Sequence, residues 1–305
     1  MVNTSLHTNF DREPGGLRKL EDFVAAIRRA FPQDPKTVRI LDVGCGSGNI
    51  SRPLAALGYD VTALDADARA TDELRKTPEA AMMNILTGTI VILKPKAEGS
   101  LEILRFAQDD PSGRIASSVA TGDLLASDLA GRDPFSSLDK NGSAGSFDVI
   151  IMSEVLEHMQ DPASALRHAR EILAPNGLLL VTVPNGWCVE EILRRIANAN
   201  LVTKHAKRRL KQMMQSRDVQ SPSDSPHVQF FTLRAIRSRI QEAGFTIEQA
   251  CGSSSLIREL YYILGRFFIR RDFSLFRRLD TLDGKLTDHV PAHFASGWIL
   301  HARKS

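Results

Sequence analysis

Residues 38–44, Val-Arg-Ile-Leu-Asp-Val-Gly, form a short apolar run that passes through Asp42 into a turn with glycines at 44, 46 and 48. Few features constrain a chain more tightly. Glycines at this density let the backbone reverse sharply and let a ligand approach it closely. Beyond the turn, Ile50, Leu54 and Leu57 recur at helical spacing before Gly58, so the segment reads strand, turn, helix, stop.

The same alternation continues along the chain. Residues 59–65 make a second strand that ends in an acid, and 147–152 a strand apolar enough to be buried on both faces. Asp161-Pro162 offers a capping side chain followed by proline at the first helical position. The helix through Leu166, Ala169 and Leu173 ends before Pro175-Asn176-Gly177, and residues 178–183 give another strand. Strands alternating with helices of this length require right-handed crossovers and a mostly parallel sheet. Ahead of it, Leu17, Leu20, Val24, Ile27 and Phe31 place an amphipathic packing helix, so residues 1–35 are expected as a helical segment before a domain spanning 36–304.

Two stretches break the pattern. Residues 76–118 alternate poorly and carry a repeat-like string, and are expected to be a surface insertion dispensable for cofactor binding. Residues 188–225 begin helical and become basic through Lys204, Lys207, Arg208, Arg209 and Lys211, as an insertion over one sheet edge.

With 43% hydrophobic and 25% charged residues the chain has the balance of a soluble globular protein, and a net charge of +3 is too small for a dedicated nucleic-acid binder. No leader or membrane-span pattern is visible and Cys45, Cys188 and Cys251 lack paired spacing, so a cytoplasmic protein with reduced thiols is expected. The apolar run from Leu256 to Ile269, with Arg266 within it and Arg270 and Arg271 directly after it, reads as a core helix or as a basic amphipathic helix peripheral to a membrane.

The string Asp42-Val43-Gly44-Cys45-Gly46-Ser47-Gly48 resembles the first motif of the class I S-adenosylmethionine-dependent methyltransferases, and Phe147 to Met159 is very similar to that family's signature after the fourth strand. Dinucleotide-binding enzymes space their glycines G-x-G-x-x-G instead, which disfavours an NAD-dependent oxidoreductase. The resemblance implies a Rossmann-like α/β fold, a seven-stranded mostly parallel sheet flanked by helices with its last strand antiparallel. It implies S-adenosylmethionine held by Asp42, Gly44, Cys45, Gly46 and Gly48, by Asp65 and Ala66 at the ribose, by Asp123 and Leu124 at the adenine, and by Ser153. Asn185 is a candidate for touching the acceptor or for shaping a turn.

The implied reaction is methyl transfer to a small-molecule acceptor, most readily a hydroxyl oxygen, with ubiquinone-pathway O-methyltransferases as similar proteins. The acceptor is expected to be partly apolar or presented at a membrane. His158 is the candidate general base. Glu154, Glu157 and His158, at i, i+3 and i+4 of a helical turn, would share a face and with His227 hold a divalent metal such as Mg²⁺, as that resemblance implies. An inactive S-adenosylmethionine-binding protein is the alternative reading.

Overall fold

The computed structural model describes residues 15–87, 92–95, 101–104, 147–188, 228–255 and 273–305. Its centre is a seven-stranded sheet of β1 (Arg39–Val43), β2 (Asp60–Asp65), β3 (Met83–Thr87), β6 (Phe147–Ser153), β7 (Leu173–Pro184), β8 (Phe245–Gly252) and β9 (Gly297–Lys304). β4 (Ile92–Pro95) and β5 (Leu101–Leu104) pair antiparallel as a separate hairpin. The order in the main sheet is β3-β2-β1-β6-β7-β9-β8. All neighbours are parallel except β9, which runs antiparallel to both β7 and β8. This is the seven-stranded Rossmann-like arrangement expected, with the last strand inserted beside the fifth of the sheet.

Helices cover both faces. On one, α1 (Gly16–Ala30) and α2 (Ser51–Ala56) bury Leu20, Phe23, Val24, Ile27 and Leu54 against Val38, Ile40, Val149, Ile151 and Leu180. On the other, α4 (Pro162–Ile172) and α5 (Leu233–Glu242) pack Leu166, Ala169, Ile236 and Ile240 with Ile150, Met152, Leu179 and Trp298. The alternation within β6, Ile150 and Met152 to one side and Val149 and Ile151 to the other, is the period of two that a strand buried on both faces shows. α3 (Ala68–Arg75) is capped by Asp67, and α4 by Asp161, whose carboxylate accepts the Ser164 N–H at 3.0 Å. α6 (Phe273–Thr287) follows β8 and precedes β9 among the described residues.

Three boundaries differ from the sequence expectation. α1 shares a core with β1 and so belongs to the domain. β7 starts at Leu173: the chain pairs Leu173 with Phe147, bulges through Pro175–Gly177, and resumes with Leu178 opposite Val149. The third correction is larger. Residues 76–87 are part of the fold, because Pro78–Met82 forms a 3₁₀ turn and Met83–Thr87 pairs parallel with β2 as the edge strand. Arg52 of α2 holds Glu79 of that turn at 2.7 Å, and the Arg75 guanidinium donates to the Ile85 carbonyl at 3.2 Å. Replacing 76–118 by a short Gly/Ser linker is therefore expected to cost about 2–3 kcal/mol, as an edge strand and its ion pair are lost, whereas replacing only 105–118 leaves every described strand intact. Thermal melts of the two variants distinguish the outcomes.

Candidate active site

The carboxyl ends of β1, β2, β6, β7 and β8 share one edge, where open α/β sheets bind their ligands. Asp42 lies near the end of β1, only 2% exposed, and its carboxylate accepts the Ser51 hydroxyl at the start of α2. Burial first, and the like charge of Asp65 second, push the Asp42 carboxyl up to about 7, with the Ser51 hydrogen bond opposing.

The loop that follows is shaped by left-handed residues. Gly44 has φ of 71° and a Cβ there would stand 2.5 Å from the Val155 side chain, so only glycine lets β1 turn beneath the segment after β6. Gly46 also has positive φ, 54°, but a Cβ on it would meet nothing within 4 Å: the backbone there faces open space that a ligand can enter. Turns continue to Ile50, so α2 is only six residues long and starts later than the sequence suggests.

Asp65 fastens this loop. Its two carboxylate oxygens accept the Gly46 N–H at 2.7 Å and the Asp67 N–H at 2.8 Å. A carboxylate has lone pairs left beyond these two bonds and can accept ribose hydroxyls as well. Ala66 beside it is exposed. Cys45 is buried, its N–H donating to the Leu64 carbonyl at 3.1 Å, and burial with the nearby Asp42 and Asp65 charges raises its thiol far above the usual range, so it packs rather than reacts.

At the end of β6, the Ser153 hydroxyl lies 2.9 Å from that of Thr182 on β7. Glu154 follows with φ of 55°, the one non-glycine residue with positive φ among those described. Leu156–His158 is a 3₁₀ turn, with Glu157 1% exposed and its carboxylate 4.0 Å from His158 Nε2. The shared helical face expected for Glu154, Glu157 and His158 is absent, because the left-handed residue reverses the chain before the turn begins. Glu154 is directed to α1 instead, where Lys19 Nζ donates to its Oε1 at 2.8 Å. Among the described residues no group of three His, Cys, Asp or Glu side chains is placed to hold a metal. His227 lies outside the described residues; its neighbour Val228 and then Gln229 donate N–H groups to the Glu157 carbonyl, both at 2.9 Å.

Asp123 and Leu124 likewise lie outside the described residues, as do most of the basic stretch 188–225 and the run from Leu256 to Ile269. Asn185 is a turn former: its amide donates to the Ala295 carbonyl at 2.8 Å, its side-chain oxygen accepts the Trp187 N–H at 3.0 Å, and it is buried. Its bonds draw the loop after β7 and the loop before β9 together, leaving Trp187 66% and Phe294 68% exposed at this edge. Among the described residues no helix is long and apolar enough to cross a membrane. Lys19 is the site-edge residue that sequence reasoning passed over; an Arg18-Lys19 pair between Leu17 and Leu20 was its only signal.

Comparison with known proteins bears on the family and the fold. A protein from Caulobacter sp. strain K31 named ubiquinone biosynthesis O-methyltransferase is 32% identical over 148 residues, 48% of this chain and 41% of that protein. The protein of the same name from Ruegeria pomeroyi is 29% identical over 148 residues, 48% of this chain and 42% of that one. The chain thus spans about two fifths of the length of these curated relatives. The crystal structure of a Galdieria sulphuraria protein assigned as a sarcosine dimethylglycine methyltransferase superposes with a TM-score of 0.53 at 14% identity, covering 100% of this chain and 94% of that chain, which shows the shared fold. A family model described as a methyltransferase domain matches residues 17–250, more than half of the chain. The chain belongs to that methyltransferase family, the class I S-adenosylmethionine-dependent enzymes whose first motif its glycine loop resembles.

Proposed function

We propose that this chain transfers the methyl group of S-adenosylmethionine to a hydroxyl oxygen of a small, partly apolar acceptor. The observation that carries the reading is the loop 44–48, tied down by Asp65 and open at Gly46, at the edge where β1, β2 and β6 end. Asp42 and the loop would face the amino acid part of the cofactor, Asp65 its ribose, and Ser153 the methyl-transfer side. The relatives named for O-methylation support oxygen as the atom methylated. Exposed Trp187 and Phe294 beside the same edge support an acceptor with apolar surface.

In this reaction the acceptor oxygen attacks the methyl carbon in line with the carbon–sulfur bond, which breaks with its electron pair passing to sulfur. The product is the methyl ether and S-adenosylhomocysteine. Positioning and exclusion of water supply most of the rate. The hydroxyl proton would leave to His158, 24% exposed at its side chain and two residues before α4's capping loop begins at Gln160. Among the described residues the carboxylates do not assemble around a metal.

Calorimetric titration with S-adenosylmethionine and NAD tests the cofactor, with binding of the first and none of the second expected. Incubation of the protein and labelled cofactor with a cell extract then seeks the acceptor, and absence of any labelled product with a protein that binds cofactor would favour the inactive alternative. Once an acceptor is in hand, His158→Ala is expected to lower kcat roughly 10²–10⁴-fold while leaving cofactor affinity unchanged. Full activity in that variant rejects His158 as base.

A further inference from the structure

Lys19 is a buried cation with a specific partner. Its side chain is 4% exposed, and its ammonium sits 2.8 Å from Oε1 of Glu154. The same oxygen accepts the Thr182 hydroxyl at 3.1 Å, and the Glu154 N–H donates to the Thr182 carbonyl at 3.0 Å. Glu154 is thereby held at both ends in its left-handed conformation, which places the next residue, Val155, against Gly44 of the glycine loop. α1 cannot easily withdraw the ammonium, because Arg18 beside it is anchored to the carbonyls of Gly252 and Gly284 and to Asp288, and the Gly15 N–H donates to Asp280 at 2.7 Å. A buried lysine needs such a partner, and a carboxylate so paired is a poor ligand for a second cation, which would have to approach a fixed positive charge.

We propose that Lys19 is the resident cation of this edge: its ammonium occupies the Glu154 carboxylate that the Glu-x-x-Glu-His string would otherwise offer to a divalent metal, and so excludes one there. The inference stands on the Lys19–Glu154–Thr182 contacts, whichever atom the enzyme methylates, and a metal titration examines it separately from transfer activity. The probe is Mn²⁺, followed by electron paramagnetic resonance on the full chain, in wild type, Glu154→Gln, Lys19→Met and Lys19→Arg. Wild type is expected to hold no Mn²⁺ population that Glu154→Gln removes. Lys19→Met should gain one, with affinity at least tenfold tighter than wild type, and Lys19→Arg should exclude the ion as wild type does. A wild-type Mn²⁺ signal lost in Glu154→Gln, or a folded Lys19→Met protein that gains none, overturns the proposal. If Lys19→Met does not fold, the comparison of wild type with Glu154→Gln decides alone.

Discussion

Asp42→Asn is expected to stabilise the cofactor-free protein above neutral pH while weakening its hold on S-adenosylmethionine. Burial places the Asp42 carboxyl at about 7 against an ordinary value of 3.8. An acid whose folded value is raised binds its proton more tightly in the folded chain. Its favourable contribution is complete below about pH 4 and is lost as pH rises through about 7, beyond which the ionised group is a burden. Three units of difference bound the effect at about 4 kcal/mol, and the new amide's own N–H groups reduce the gain to about 1–3 kcal/mol. The melting temperature at pH 8 should therefore rise by several degrees, and its fall between pH 4 and 7 should flatten.

Binding has the opposite sign. The cofactor carries positive charge on its ammonium and sulfonium, so its arrival favours ionised Asp42, and below pH 7 a proton must leave. Wild-type affinity should weaken up to about tenfold for each pH unit below 7, with up to one proton released, a dependence missing from Asp42→Asn. Calorimetry in two buffers of different ionisation enthalpy counts that proton. A variant that melts lower than wild type at pH 8, or that keeps the wild-type pH dependence of affinity, contradicts the account.

Asp65→Ala should abolish most cofactor binding. The carboxylate would accept two ribose hydroxyls, and charge-assisted bonds of this kind contribute about 1.5–3 kcal/mol each, so a loss of roughly 10²–10⁴-fold in affinity is expected. The variant also frees the Gly46 N–H, held at 2.7 Å, which loosens the loop. Adenosine competition separates the two effects: a ribose contact predicts that adenosine loses affinity in parallel, a slackened loop alone that it does not. Unchanged S-adenosylmethionine affinity would remove Asp65 from the site.

The strands that carry these two acids were legible because each is an apolar run ending in a carboxylate at a sheet edge, a pattern that burial on both faces imposes. β3 was not, since Met83–Thr87 lies half-buried at the rim, where no strict alternation is demanded, and it adjoins a repeat-like stretch. The Glu-x-x-Glu-His reading failed for a different reason. It assumed that Glu154 continues a helical turn, and a glutamate at positive φ is held there by Lys19 and Thr182, 135 and 28 residues distant in the chain. Spacing rules describe neighbours along an element and cannot foresee a contact of that range. Asn185 shows the converse, a local Pro-Asn-Gly turn signal that the structure follows directly.

The place of β9 shapes how the chain can be made. Residues 297–304 fill the gap between β7 and β8, pairing Leu178–Pro184 on one side and Phe245–Gly252 on the other. During synthesis β7 must emerge with its outer backbone groups unpaired, and β8 has no strand to join until β9 has left the ribosome. An apolar strand with a bare edge is a template for pairing with other chains. The nascent protein thus passes through a window of more than a hundred residues in which β7 lacks the neighbour that covers its outer edge in the finished sheet. Shortening the chain before Gly297 would hold every molecule in that window.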